Sequence, residues 1–318
     1  MSLKYNTMKK DLSKEVEWLH FCDDAKSKFF AVCNIDNTKE IVTRKFPVPY
    51  ETTYFFDTVQ IKNTIYFTGG GLPLTDYSPE QYFQITMRFT IKPDMDTAVT
   101  KLTNMCVARA NHAMVVLTPN HLFVAGGTNL TGNLASCEEF TIDKNKWRMV
   151  APLNESKKWI SLCAFGKRYL YAFGGVLNSK DSVSDKIECF DVADQTKKVW
   201  KIVDVGTGKA LWKKRFFSGT LELSPNSIII FGGIVNDEEV SDCLLFDPTT
   251  RAMVVGPKMP APDAFYRTKH GTSDKFVLIV GGRNGDLHTF NKYTKTWEVT
   301  SKIIWNPDYG FAVKADTY

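Results

Sequence analysis

Residues 206–210, which read Gly-Thr-Gly-Lys-Ala, come closest in this chain to a nucleotide-binding loop. A phosphate loop needs a glycine five positions before the glycine that precedes the lysine, because the backbone between them cradles the phosphates. That position holds Val203, and the lysine is followed by Ala210, which has no hydroxyl group for magnesium. We therefore interpret the stretch as a flexible loop without a phosphate-binding role.

Metal or acid–base chemistry would need histidine, cysteine or carboxylate side chains at ligand spacing. No two of the five histidines are spaced as His-x-His or His-x-x-x-His, and no Cys-x-x-Cys pair occurs. No Gly-x-Ser-x-Gly string marks a nucleophile, although a catalytic triad can be assembled from residues that are distant in sequence. We expect no catalytic residue, no metal site and no cofactor.

The composition is that of a globular protein, with 43% hydrophobic and 24% charged residues among 318. A net charge of +5 is too small for a dedicated nucleic-acid binder. The seven cysteines form an odd set, which favours a reducing compartment over a disulfide framework. No apolar run is long enough for a secretory signal or a membrane span. We expect a cytoplasmic protein with neither nucleic-acid nor membrane partners.

Five segments share an apolar run that ends in a glycine doublet. The second glycines follow one another at intervals of 48 to 58 residues, a period typical of propeller blades with four short strands each. They are Gly70, Gly127, Gly175, Gly233 and Gly282.

Each doublet is followed by a polar loop, a strand, a tight turn and a strand that carries a bulky residue. Trp147, Trp200 and Trp297 occupy the bulky position in three repeats, and Met253 occupies it in a fourth. Tryptophan at this place fills the wedge between neighbouring blades. The glycine doublets and tryptophans resemble the kelch-repeat β-propeller family over roughly residues 54–300.

The N-terminal region is interpreted as the last three strands of a degenerate blade. Residues 16–22 have the pattern of a strand without its glycines, and residues 29–39 parallel residues 187–197. We expect a C-terminal strand at residues 309–313 to pair with residues 16–22 and to close the ring. The expected architecture is an all-β, six-bladed kelch β-propeller over residues 16–318, preceded by a polar extension of residues 1–15.

A basic residue precedes the first strand of four consecutive blades. In chain order these residues lie 18, 17, 18 and 15 positions before the second glycine of their repeat. The kelch resemblance implies that they lie on inter-blade loops, on the face where kelch adaptors hold acidic peptides with arginines, serines and aromatic residues. The residues that we expect to bind a partner are Arg109, Lys158, Trp159, Arg215, Phe216, Tyr266, Arg267 and Tyr309.

A structural role for the basic residues stays open, because an arginine at this place belongs to the general repeat pattern and can bond to carbonyl groups of a neighbouring blade. Residues 236–242 also place negative charge on the same face.

The favoured function is a non-catalytic scaffold or adaptor that binds a protein partner, either an acidic peptide segment or a cytoskeletal assembly. One alternative is a small-molecule isomerase that resembles the sugar-epimerising kelch propellers; arginines clustered with Glu or His in the central channel would mark it. Another is an inert part of an assembly, in which the basic ring is purely structural.

Overall fold

The protein is all-β in the part of the chain that the computed structural model describes. The described residues are 18–22, 29–34, 44–47, 55–62, 64–75, 78–91, 97–178, 182–194, 196, 198–264, 270–272, 276–280, 286–306 and 310–314. Within them the helical content is a single 3-10 turn, Lys209–Leu211. The predicted polar extension at residues 1–15 lies outside the described residues.

Four antiparallel sheets, which we call sheets I to IV, follow one another along the chain, each with four strands hydrogen-bonded in sequence order. Their strands are Asp57–Ile61, Thr64–Thr68, Thr86–Ile91 and Thr97–Lys101 in sheet I; Ala113–Thr118, His121–Ala125, Cys137–Thr141 and Lys146–Val150 in sheet II; Ser161–Phe165, Tyr169–Phe173, Ile187–Asp191 and Lys201–Ile202 in sheet III; and Gly219–Ser224, Ser227–Phe231, Cys243–Asp247 and Ala252–Val255 in sheet IV.

Short two-stranded pairings follow the glycine doublets of these sheets. Three are local: Gly71–Thr75 with Ser78–Tyr82, Thr128–Asn129 with Gly132–Asn133, and Ile234–Val235 with Glu238–Glu239. In sheet III, Val176–Leu177 pairs instead with Lys157–Lys158, which lie in the loop before the sheet.

Sheet V and the N-terminal sheet complete the described strands. Sheet V consists of His270–Thr272, Phe276–Val280, Asp286–Asn291, Thr296–Asn306 and Gly310–Lys314, and the N-terminal sheet of Trp18–Cys22, Phe29–Asn34 and Arg44–Pro47.

The C-terminal strand corrects the expected closure. Gly310–Lys314 pairs with residues 302–306 of sheet V, and Trp18–Cys22 pairs with Phe29–Asn34. The long strand Thr296–Asn306 extends beyond its pairing with Asp286–Asn291, so its last residues are available for pairing with the C-terminal strand. Only three residues separate it from the C-terminal strand, and such a short loop is easier to close than a pairing with the distant N-terminus.

The first strands of sheets I to IV lie side by side in chain order. Asp57–Ile61 contacts Ala113–Thr118, which contacts Ser161–Phe165, which contacts Gly219–Ser224. Innermost strands that meet one another while each sheet runs outward are the arrangement of a β-propeller.

The predicted bulky residues fill the spaces between neighbouring sheets. Trp147 lies between sheets I and II, and its Nε1–H donates to Thr86 Oγ1 at 2.9 Å. Trp200 lies between sheets II and III, and its Nε1–H donates to the Ala151 carbonyl at 2.9 Å. Met253 takes the same place between sheets III and IV and is buried there. Each apolar layer therefore joins one sheet to the next.

Several cysteines are small apolar side chains of these layers. Cys137, Cys163 and Cys243 are buried and free of disulfide bonds. Burial raises the pKa of Cys137 and of Cys243 to about 12, which keeps both thiols protonated and unreactive.

Candidate functional site

The loops before sheets II, III and IV each carry a basic residue 18 positions before the second glycine of the following doublet. The side chains of these basic residues have no exposed surface, and each is paired with a carboxylate. We call these the loop ion pairs: Arg109 Nη2 with Glu138 Oε1 at 2.8 Å, Lys157 Nζ with Glu188 Oε1 at 2.7 Å, and Arg215 Nη2 with Asp242 Oδ2 at 2.9 Å.

Arg109 illustrates how a loop ion pair holds two sheets together. Its Nη1 donates to the Gly126 carbonyl of sheet II at 2.7 Å, and Glu138 accepts the backbone N–H of Cys106 at 2.6 Å. Its own carbonyl accepts the N–H of Gly70, at the end of the second strand of sheet I, at 2.9 Å. The side chain therefore fixes the loop to the following sheet, while the backbone fixes it to the preceding one.

Lys157 occupies the position that the sequence analysis assigned to Lys158. The Lys157 carbonyl accepts the N–H of Gly127 at 3.0 Å, just as the Arg215 carbonyl accepts the N–H of Gly175 at 2.9 Å. A strict spacing of 18 residues before the second glycine selects Lys157 rather than Lys158. The sequence analysis therefore assigned the basic position of this loop one residue too far along the chain.

Before sheet V, the corresponding backbone position belongs to an acidic residue. The Asp263 carbonyl accepts the N–H of Gly233 at 2.7 Å, and Asp263 is buried. Arg267, which was expected at this place, lies outside the described residues, as do Tyr266 and Tyr309.

Burial corrects the role expected of Arg109 and Arg215. A guanidinium group with no exposed surface has no face to offer a partner, and both groups are bonded to their own sheets. The geometry supports the structural role that the sequence left open. Arg109 and Arg215 each pair with a single carboxylate, Glu138 and Asp242 respectively.

A partly exposed group of side chains borders the buried cations of the loop ion pairs. Trp159 packs against Phe217 with ring centroids 4.6 Å apart and against Phe216 at 5.8 Å. Lys158 Nζ lies 4.0 Å from the centroid of a Trp159 ring. We call Lys158, Trp159, Phe216 and Phe217 the aromatic patch. It brings together three of the predicted binding residues and adds Phe217, which was not among them.

The aromatic patch lies beside the segments that follow the glycine doublets. Lys158 pairs with Val176, and Phe216 forms a β-bridge with Ile234. The loops before the sheets and the loops after the doublets therefore share one face, as the kelch resemblance implied.

A chain of backbone hydrogen bonds runs through the same loops. The N–H of Asn111 donates to the Phe55 carbonyl at 2.8 Å, that of Trp159 to Asn111 at 3.0 Å, and that of Phe217 to Trp159 at 3.2 Å. All four residues have φ between 55° and 62°. Bulky residues rarely adopt this left-handed conformation, which tends to persist where the surrounding structure enforces it and clusters at functional sites. The sequence analysis did not predict this series of hydrogen bonds. Asn111, Trp159 and Phe217 nevertheless share a simple signal, because each lies two positions after the basic residue of a loop ion pair.

Charged groups surround the patch on the same loops. Glu155 bonds to Lys186 at 2.6 Å and lies 4.0 Å from Lys157. Burial alone would raise the pKa of Glu155, but hydrogen bonds from Lys186 and Ser184 and the charge of Lys157 outweigh it and lower the pKa. Lys213 and Lys214 are exposed beside Arg215. The face is therefore mixed in charge, with several cations near the aromatic rings.

His112 has a structural hydrogen bond in the described chain. Its Nε2 bonds to Thr68 Oγ1 at 2.9 Å, which joins the loop before sheet II to sheet I. Among the described residues, no group of three or more His, Cys, Asp or Glu side chains is placed to hold a metal ion.

Within the same described ranges, no helix is long and apolar enough to cross a membrane.

Comparison with known proteins agrees with the glycine doublets and the sheets. The family model for the KLHDC2/KLHL20/DRC7 Kelch-repeats domain matches residues 56–252, and the chain belongs to this kelch-repeat family. Beta-scruin of Limulus polyphemus is 27% identical over 155 residues, which are 47% of this chain and 16% of the relative. The match thus spans about one sixth of that relative's length.

Proposed function

We propose that this protein is a non-catalytic interaction module, a scaffold or adaptor that binds a segment of a protein partner through its inter-blade loops. Membership of the kelch-repeat family supports an interaction role. The aromatic patch is the observation that carries the proposal. Partly exposed aromatic rings beside a lysine have the composition of interface hot spots.

The proposed ring has six blades over residues 16–318, with the N-terminal sheet as the sixth. Trp18–Cys22 contacts His270–Thr272, the first strand of sheet V, which supports its place beside that sheet. Closure would then come from packing between first strands rather than from the C-terminal strand.

Charge alone supports an acidic peptide segment as one proposed partner class. Lys158 belongs to the patch, and Lys213 and Lys214 are exposed a few residues before Phe216. Opposite charge across an interface mainly speeds association and excludes wrong partners. Recruitment to a cytoskeletal assembly, and a cytoplasmic location, are proposed from the kelch resemblance and the cysteine composition.

The test removes patch side chains without touching the loop ion pairs. A Lys158→Ala/Phe216→Ala variant and a matched Lys146→Ala/Met149→Ala control would be compared with the wild type by quantitative affinity purification. The control residues are exposed on the outer strand of sheet II. We expect the patch variant to keep its unfolding midpoint and lose specific partners, while the control keeps them. Equal partner sets in the two variants would place the binding surface elsewhere.

A further inference from the structure

Two side-chain N–H donors, one in the aromatic patch and one in the loop before sheet II, have no hydrogen-bond partner among the described residues. They are Asn111 Nδ2 and Trp159 Nε1, both of which are shielded from solvent by the protein. Asn111 as a whole is 8% exposed. Buried donors without partners are unfavourable, so an acceptor that reaches them is bound with a gain in free energy.

Further unsatisfied N–H donors lie in the same loops. Besides Asn111 and Trp159, the Nε–H groups of Arg109 and Arg215 are buried without an acceptor in the part of the chain that the structure describes. The backbone carbonyls of Asn111 and Trp159 already accept hydrogen bonds from the N–H groups of Trp159 and Phe217. These described loops therefore contain N–H donors that a ligand with acceptor groups can satisfy.

The apolar part of the site is a set of flat rings. Trp159, Phe216 and Phe217 lie with their centroids 4.6 to 5.8 Å apart. A matching ligand presents apolar, ring-shaped side chains and carbonyl acceptors, and it brings few N–H groups that need acceptors of their own. A proline-rich segment has these properties, because proline has no backbone N–H and polyproline II leaves every carbonyl exposed.

We propose that the aromatic patch binds a proline-rich partner segment in the polyproline II conformation, with Trp159 Nε1 and Asn111 Nδ2 donating to its backbone carbonyls. The inference rests on the proposed function and names the partner class for the same face.

The loop ion pairs favour this class over an acidic segment. Arg109, Lys157 and Arg215 were the natural anchors for carboxylates, but Glu138, Glu188 and Asp242 neutralise them internally. Within the patch, an acidic ligand would meet Lys158 alone. A proline-rich ligand can contact both the aromatic rings and the N–H donors, and it therefore makes more contacts with this surface than an acidic ligand does.

Binding requires a movement of the indole ring. Trp159 Nε1 is covered in the free protein, so a peptide carbonyl reaches it only after the side chain rotates. The indole N–H resonance should accordingly shift when the ligand binds. Trp159→Phe identifies this resonance among those of the seven tryptophans, because only that signal disappears.

The experiment measures binding of three fluorescein-labelled ten-residue peptides by anisotropy: polyproline, an alternating Asp-Gly peptide and an alternating Ser-Gly peptide. We expect polyproline to bind more tightly than the other two and to shift the Trp159 indole resonance. Trp159→Phe keeps a ring and removes the N–H, whereas Asn111→Asp keeps the shape and replaces the donor with an acceptor. Each should weaken polyproline binding about five- to tenfold, the effect of one lost hydrogen bond. Met149→Ala should leave it unchanged.

Three results would overturn the inference. Tighter binding of the Asp-Gly peptide would assign the patch to acidic segments and leave the proposed function intact. Binding of none of the peptides, or unchanged polyproline binding in both Trp159→Phe and Asn111→Asp, would also reject it. If Trp159→Phe does not fold, Asn111→Asp and the wild-type indole shift still decide. The proposed function itself fails only if the patch variant of the purification experiment retains its partners.

Discussion

The loops before sheets II and III have the same backbone but present different surfaces. In these loops, Arg109 and Lys157 each form a buried ion pair, and the backbone carbonyl of each accepts a hydrogen bond from the preceding glycine doublet. Two positions later, Asn111 and Trp159 share the left-handed conformation, with φ of 55° and 57°. Asn111 is almost fully buried, whereas Trp159 contributes a partly exposed ring.

The difference distinguishes side chains that every repeat needs for its fold from side chains that can vary between repeats. We count the basic residue, Arg109 or Lys157, as the first position of each loop. Its side chain is buried and ion-paired in both loops, so it stabilises the fold. The third position needs only its backbone conformation, so its side chain can differ from blade to blade. Specific binding is therefore expected at the third position and its neighbours, not at the repeated cations.

The largest expected effect comes from breaking a loop ion pair. Arg109→Met leaves the Glu138 carboxylate buried without its partner and should lower the free energy of unfolding by about 3–5 kcal/mol. Arg168→Met is the matched control, because Arg168 bonds to Asp191 at 2.7 Å but is half exposed. A surface pair of this kind contributes about 0–1 kcal/mol. Urea unfolding of both variants measures the difference.

Equal losses in Arg109→Met and Arg168→Met would contradict a structural role for the buried pairs. An Arg109→Met/Glu138→Leu variant sharpens the test, since removal of both charges should recover part of the lost stability.

A smaller effect tests the backbone that the two loops share. Gly127 has a φ of 96°, and a Cβ on it would overlap the Ala110 carbonyl oxygen. Gly166 also has positive φ, at 59°, but a Cβ there would meet nothing within 4 Å. Gly166→Ala should cost about 1 kcal/mol through backbone strain alone, and Gly127→Ala should cost clearly more. Thermal or urea unfolding that ranks them in the opposite order would reject the overlap.

The smallest expected effect is a pH dependence at the loop before sheet III. Because the pKa of Glu155 is lowered in the fold, its carboxylate stabilises the protein above the unfolded-state pKa. That stabilisation is lost as the pH falls through the folded-state pKa. Between about pH 6 and about pH 3, the wild type should lose slightly more stability than Glu155→Gln. Parallel curves of urea midpoint against pH would show that Glu155 contributes nothing.

Much of the fold could be predicted because the kelch repeat places recognisable residues at regular intervals. The glycine doublets, together with Trp147, Trp200 and Met253, predicted the sheets and the layers between them. The C-terminal strand could not be placed in this way. Its partner is the end of Thr296–Asn306 that extends beyond Asp286–Asn291, and no repeat signal specifies the length of that strand.

The candidate site was predicted less well, for a physical reason. A spacing locates a loop position but does not say whether a long basic side chain turns inward to a carboxylate or outward to solvent. Glu138, Glu188 and Asp242, which decide this for Arg109, Lys157 and Arg215, are 27 to 31 residues further along the chain. Lys158, Trp159 and Phe216 remain predicted binding residues because their side chains stay partly exposed.

Two adjacent residues allow the most direct test of the division between fold and binding. Arg215 is fully buried in an ion pair, and Phe216 belongs to the partly exposed patch. The measurement is the amount of specific partner retained per folded molecule by Arg215→Met and by Phe216→Ala, with the folded fraction taken from urea unfolding. We predict that Arg215→Met is destabilised but retains partners in proportion to its folded fraction, whereas Phe216→Ala stays folded and loses them. Full retention by Phe216→Ala, with loss by folded Arg215→Met, would contradict the account.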